Sequence, residues 1–104
     1  MTDNQTQTSA DVDTLVGQAW SMHYHGENDS AIQAFRQLVE KWPEHIDANY
    51  GLSLSLKAAG QKQEAHEAFL KTKTLVDAAR ATQSDENARY TMLARMIDQH
   101  LSTL

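Results

Sequence analysis

The sequence predicts an all-α protein made of helix-turn-helix repeats, in which two repeat units and a C-terminal capping helix form a short α-solenoid of five helices. Three observations predict this fold class. The chain repeats itself after 34 residues. It has 40% hydrophobic residues, one Pro and four Gly, without the alternating β-branched runs of strands. Its apolar residues recur at helical spacing. A length of 104 residues suits one domain with a modest core.

The repeat is clearest where Gly26–Phe35, GENDSAIQAF, returns as Gly60–Phe69, GQKQEAHEAF. Chance matching would give roughly two identities over the aligned window. A period of 34 is the length of one helix-turn-helix unit. Seven identities are found, mostly at small and aromatic positions: Asp13 with Asp47, Gly17 with Gly51, Ser21 with Ser55, Gly26 with Gly60, Ala31 with Ala65, Ala34 with Ala68, and Phe35 with Phe69.

The first unit begins after a polar segment, residues 1–9, which we expect to be disordered because it has nothing apolar to bury. The first helix then runs to about Tyr24. Gly26 ends it, since glycine accepts the left-handed backbone of a helix stop. The second helix spans about Ser30 to Lys41, and Pro43 closes the unit.

The second unit repeats this pattern, with a third helix at about 45–59, a stop at Gly60 and a fourth helix from about Gln61. Asp77 stands where the first unit has its proline, so the fourth helix is expected to overrun to about Ala81. A turn, TQSDEN, precedes a last helix at about 85–102, which would cap the solenoid. The domain, residues 10–104, therefore divides into repeat one at about 12–45, repeat two at about 46–81 and the capping helix.

These units resemble the tetratricopeptide-repeat (TPR) family over about residues 12–81. The second unit departs from the motif at two positions, because it has Asn49 where an apolar residue is expected and Asp77 where a proline is expected. The first unit has Gln18 where leucine is usual. The first unit supplies the motif with Leu15, Ala19, Met22, Gly26, Ala31, Phe35, Leu38 and Pro43. The second supplies it with Leu52, Ser53, Leu56, Gly60, Ala65 and Phe69.

Negative charge is concentrated in the first third of the chain. Residues 1–35 contain five Asp or Glu and no Lys or Arg, whereas the remainder balances nine Asp or Glu with nine Lys or Arg, so the net charge of −5 lies in this region. A phosphate backbone would be repelled there, and we expect no nucleic acid ligand. The acidic region either aids solubility or steers a basic partner.

Catalytic and membrane functions are not expected. No stretch approaches the roughly twenty apolar residues of a membrane span, and the N-terminus lacks a signal-peptide pattern, so we expect a cytoplasmic protein without membrane insertion. There is no cysteine. His23 and His25 would point about 200° apart on a helix and cannot share an ion. We therefore predict no metal, no cofactor and no enzymatic activity.

The resemblance implies a binding groove, because in this family the first helices of successive repeats line a concave surface. Its apolar members would form a patch of the kind that contacts a partner. The predicted function is protein–protein interaction, with a peptide or helix of a partner protein bound in the groove. The residues implied to line this site are Asp13, Val16, Trp20, His23, Tyr24, Asp47, Tyr50, Leu54 and Lys57.

Two alternatives stay open. Trp20 and Tyr50 could pack as core, or the apolar surface could be buried in a homo- or hetero-oligomer, which would make the chain a small structural subunit or self-assembling scaffold. One ligand of the family is not expected. Its chaperone-binding members clamp a C-terminal carboxylate with Lys, Asn and Arg, and Lys57 is the only basic residue of the predicted groove.

Overall fold

The computed structural model describes residues 8–84 and 88–104, with side chains from Val12 onward. Most of these residues lie in five α-helices, and none lies in a strand. The predicted all-α helical repeat is therefore confirmed. The helices are α1 (Thr8–Tyr24), α2 (Asn28–Lys41), α3 (Ile46–Ala58), α4 (Lys62–Thr82) and α5 (Arg89–Thr103).

Three predicted boundaries can be compared with these helices. The segment expected to be disordered, residues 1–9, falls mostly outside the described residues, and α1 already begins at Thr8. The long fourth helix is present, since α4 has 21 residues against 14 in α2 and ends at Thr82, one residue past the expected end. The last helix begins at Arg89, and residues 85–87 of the predicted turn lie outside the described residues.

Both repeat units turn in the same way after their first helix. Gly26 and Gly60 have φ angles of 77° and 80°, in the left-handed region that glycine enters without strain. The backbone N–H of Glu27 donates to the carbonyl of Met22 at 2.9 Å, and that of Gln61 donates to Leu56 at 3.0 Å. Bonds of this kind satisfy carbonyls that the helix leaves free at its end. The internal repeat thus extends to individual backbone hydrogen bonds.

Each helix packs on its neighbours in the chain, and α1 also contacts α3. Phe35 and Phe69, the repeated aromatic residues, are fully buried and centre two hydrophobic clusters. Half-buried Trp20 and Leu52 pack against both clusters and join them. The two units therefore share one continuous core, as expected of stacked repeats.

The contact between α2 and α3 depends on a glycine. A Cβ built on Gly51 would overlap Cζ and Cε1 of Phe35, so the ring lies directly on the backbone of α3. Gly17 is the equivalent residue in α1, yet a Cβ built there would meet nothing within 4 Å. The same residue is therefore required by packing in one repeat and lies open in the other.

Asn49, which departs from the motif, has a structural role in the second unit. It is 2% exposed, and its Nδ2 donates to the carbonyls of Pro43 at 3.1 Å and His45 at 2.7 Å. Nδ1 of His45 in turn accepts a hydrogen bond from the N–H of Ala48 at 3.1 Å and caps α3. The buried amide of Asn49 thus donates hydrogen bonds to the backbone at the start of α3. An apolar residue there could not donate to these two carbonyls.

Candidate partner-binding groove

Two adjoining cavities, of about 510 and 550 Å³, lie between α1, the start of α3 and α5. They share Asp47, Arg89 and Leu93, so they form one continuous depression. We call it the α1–α3–α5 groove. The first cavity is also lined by Asp13, Val16, Gly17, Glu44, His45, Ile46 and Tyr90, and the second by Trp20, Tyr50, Met92 and Met96.

The floor of the groove is aromatic and rests on the core. The Trp20 ring packs edge-on against Phe35 at 5.4 Å between centroids and lies 6.3 Å from the ring of Tyr50. Tyr50 is only 8% exposed and meets Phe69 at 6.3 Å. Tyr24 stacks on Trp20 at 5.8 Å and is 76% exposed. Rigid buried rings thus lead outward to an open aromatic face.

The opposite wall is supplied by α5, which buries Ala94 and Ile97 and leaves Met92 and Met96 exposed. These two side chains are 57% and 46% exposed. Methionine is unbranched and polarizable, so it adapts to partners of different shape. The predicted site contained no residue of α5. The four-residue spacing of Met92 and Met96, beside the packing stripe, was the available signal.

One end of the groove is acidic. Asp13, Glu44 and Asp47 are exposed there, and Arg89 lines the same cavity. Asp47 lies in the first turn of α3, where a helix N-terminus stabilises a carboxylate. Asp13 lies five residues into α1 and receives little of this effect. Three carboxylates against one guanidinium leave this end with a local formal charge of −2.

At the far end of α3, Lys57 is held by α5. Its Nζ donates to Nδ1 of His100 at 2.9 Å and to Oγ1 of Thr103 at 3.1 Å. The His100 ring stacks on Phe69 at 4.9 Å, and its Nε2 lies 3.5 Å from the Tyr50 hydroxyl. Burial, and then the charge of Lys57, lower the pKa of His100, while burial raises the pKa of Tyr50. A neutral histidine therefore links the C-terminal part of α5 to α3.

The structure brings together five of the nine sequence-predicted residues as groove lining: Asp13, Val16, Trp20, Asp47 and Tyr50. Tyr24 and half-buried His23 adjoin Trp20, both at 5.8 Å. Leu54 and Lys57 line neither cavity. Leu54 is half-buried against the core cluster around Phe69, and Lys57 contacts α5.

Two features are absent from the part of the chain that the structure describes. No group of three His, Asp or Glu side chains there is arranged to hold a metal ion. None of the helices there is both long and apolar enough to span a membrane.

Comparison with known proteins gives one family match. Residues 13–45 match the tetratricopeptide-repeat family model, and these residues coincide with the first predicted unit. No match is found among curated proteins or among solved structures. The second unit has the same helix pair, the same glycine stop and the same buried phenylalanine. The family match covers the first unit only, and the repeated helix pair of the second unit supports the same family.

Proposed function

We propose that this protein is an interaction module that binds a peptide or helix of a partner protein in the α1–α3–α5 groove. The observation that carries this proposal is the combination of a rigid aromatic floor with exposed apolar side chains around it. Tyr24, Met92 and Met96 are each at least 46% exposed beside the half-buried Trp20. Contiguous exposed apolar surface on a small protein marks a binding site.

The groove also has the division of roles that binding surfaces use. Trp20 and Tyr50 are fixed by contacts with Phe35 and Phe69, so they would lose little conformational entropy on binding. Methionines on α5 can adjust to the partner, and charged residues at one end can set its direction. We therefore place the binding energy in the apolar centre and the orientation at Asp13 and Asp47.

The proposal includes a non-enzymatic role as an adaptor, supported by the family, whose repeats act as interaction surfaces. A cytoplasmic location stays a prediction from the sequence.

A second candidate function is that of a structural subunit, buried permanently in a homo- or hetero-oligomer. The observation that favours it is a further apolar cavity of about 250 Å³ between α1 and α2. It is lined in part by Leu15, which is 42% exposed, and by Met22, Leu38 and Trp42. A chain with two open apolar surfaces could stack on copies of itself or on other subunits. The mass of the purified chain in solution, measured by light scattering across concentrations, separates a permanent oligomer from a free module.

The binding proposal is tested by changing the wall of the groove without adding charge. We expect Met92→Gln/Met96→Gln to lose partners that the unchanged protein captures from lysate in quantitative mass spectrometry. Leu70→Gln is the matched control, because Leu70 is 45% exposed on α4 and lines no part of the groove. Equal capture by the groove variant and the control would refute the proposal. Tyr50 is too buried for a clean test, since its removal would also disturb the core.

A further inference from the structure

We propose that the groove binds an amphipathic segment that carries lysine or arginine next to its apolar side chains. This inference rests on the proposed function and specifies the chemistry of the partner. The apolar side chains would meet Trp20, Met92 and Met96, and the basic group would lie over Asp13 and Asp47.

One end of the groove carries unbalanced negative charge. The end formed by Asp13, Glu44 and Asp47 contains one cation, Arg89, and keeps an excess of negative charge. All three carboxylates are exposed, so each can reach a partner. A basic side chain there gains attraction from several acids without being buried, whereas an acidic side chain would face like charges.

Four of the protein's other cations lie outside the groove and have partners of their own. Arg36 pairs with Glu64 at 2.9 Å, Lys73 with Asp98 at 2.6 Å and Arg80 with Asp77 at 3.4 Å. These pairs involve α2, α4 and the far side of α5, and none of their members lines the groove. Lys57 is directed to His100 and Thr103. Asp13, Glu44 and Asp47 therefore outnumber the single guanidinium of Arg89 at this end of the groove and would steer a basic partner.

The spacing of Asp47 and Tyr50 on α3 sets where the basic group of the partner should lie. Asp47 precedes Tyr50 by three residues on α3, or about 4.5 Å along the helix axis. The basic and the first apolar side chain of the partner should therefore be about one helical turn apart. The second cavity has no carboxylate besides Asp47, so the partner should be basic at one end.

The test uses fluorescently labelled synthetic peptides of 16 residues. Two have the same leucine and phenylalanine stripe at helical spacing, one with lysines and the other with glutamates on the polar face at one end, and a third scrambles the lysine peptide. Binding is measured by anisotropy at low and at physiological salt. We expect the lysine-faced peptide to bind at least about tenfold more tightly than the glutamate-faced peptide, with an affinity that falls as salt rises.

Matched variants locate the charges responsible. Asp13→Asn/Asp47→Asn should weaken binding of the lysine-faced peptide by about three- to tenfold and reduce its salt dependence. The control is Glu40→Gln/Glu67→Gln, which removes two exposed carboxylates from α2 and α4, outside the groove, and should change the affinity less than about twofold. Circular dichroism checks that all variants fold.

The outcomes separate this inference from the proposed function. If the glutamate-faced peptide binds as tightly as the lysine-faced one, and Met92→Gln/Met96→Gln abolishes both, the groove binds peptides and the basic partner is wrong. If Glu40→Gln/Glu67→Gln weakens binding as much as the groove variant, the attraction is non-specific and the inference also fails. If no peptide binds, or if Met92→Gln/Met96→Gln leaves the peptide affinity unchanged, both the inference and the groove function are overturned.

Discussion

The pair Gly17 and Gly51 gives the sharpest test of the packing, because the same substitution should have opposite effects at the two positions. They are 34 residues apart and occupy equivalent places in α1 and α3. A Cβ on Gly51 would overlap Cζ and Cε1 of Phe35 and lie 2.8 Å from Cε2, whereas a Cβ on Gly17 meets nothing within 4 Å. Phe35 is fully buried, and a close-packed interior leaves its ring little room to move.

The magnitudes follow from two known effects. Replacing glycine by alanine inside an exposed helix stabilises it by about 1 kcal/mol, since alanine loses less backbone entropy. Gly17→Ala should therefore raise the free energy of unfolding by about that amount. In Gly51→Ala the same gain is opposed by overpacking, which typically costs about 1–3 kcal/mol. Because several ring atoms of Phe35 are affected, we take about 3 kcal/mol and expect a net loss of about 2 kcal/mol.

Urea unfolding followed by circular dichroism measures both changes. For a protein of this size, 2 kcal/mol should lower the melting temperature by about 10 °C. Phe35→Leu should relieve part of the overlap, so its combination with Gly51→Ala should be less destabilising than the sum of the single changes. Equal stabilisation by the two glycine substitutions would show that Phe35 does not lie on α3 as described.

Two further predictions concern polar groups. The hydroxyl of Ser55 is buried without a hydrogen-bond partner among the described residues, so Ser55→Ala should raise the free energy of unfolding by about 0.5–1 kcal/mol. Ser53→Ala should lower the free energy of unfolding by about 1 kcal/mol, since the Ser53 hydroxyl donates to the carbonyl of Asn49 at 2.9 Å. Urea unfolding that shows Ser55→Ala to be less stable than Ser53→Ala would contradict this. The pKa of His100 is lowered in the folded protein, so near and below about pH 6.5 the unfolded state binds more protons than the folded state. The free energy of unfolding therefore decreases as the pH is lowered. Thermal unfolding from pH 7.5 to 5 should show a smaller fall in His100→Asn, and equal falls would refute the role of His100.

Much of the fold could be predicted because its signals are local in the sequence. Gly26 and Gly60 mark helix stops at the required spacing, and both adopt the left-handed backbone. Phe35 and Phe69, identified by the repeat, are the buried centres of the two clusters. The missing proline at Asp77 correctly predicted the long α4. Each of these signals acts within one helix or one turn.

The candidate site was predictable only in part, because it depends on which helix covers which face. The repeat pattern predicted the α1 and α3 residues but could not place α5, because the overrun of α4 shifts α5 out of the 34-residue register. Packing of α5 brings Met92 and Met96 to the groove and takes Lys57 out of it through His100. The sequence likewise gave no reason to distinguish Trp20, which is half-buried, from Tyr50, which is almost fully buried.

By itself, then, the sequence determined the repeat, the glycine helix stops and the residues that must pack inside each unit, since these follow from backbone preference and apolar spacing. The tertiary structure alone decided which neighbours each repeated residue contacts. Gly51 is pressed against Phe35, while in the described residues no side chain comes close to Gly17. Identical residues differ in this way because burial depends on helices far away in the chain, and no local pattern encodes that neighbour.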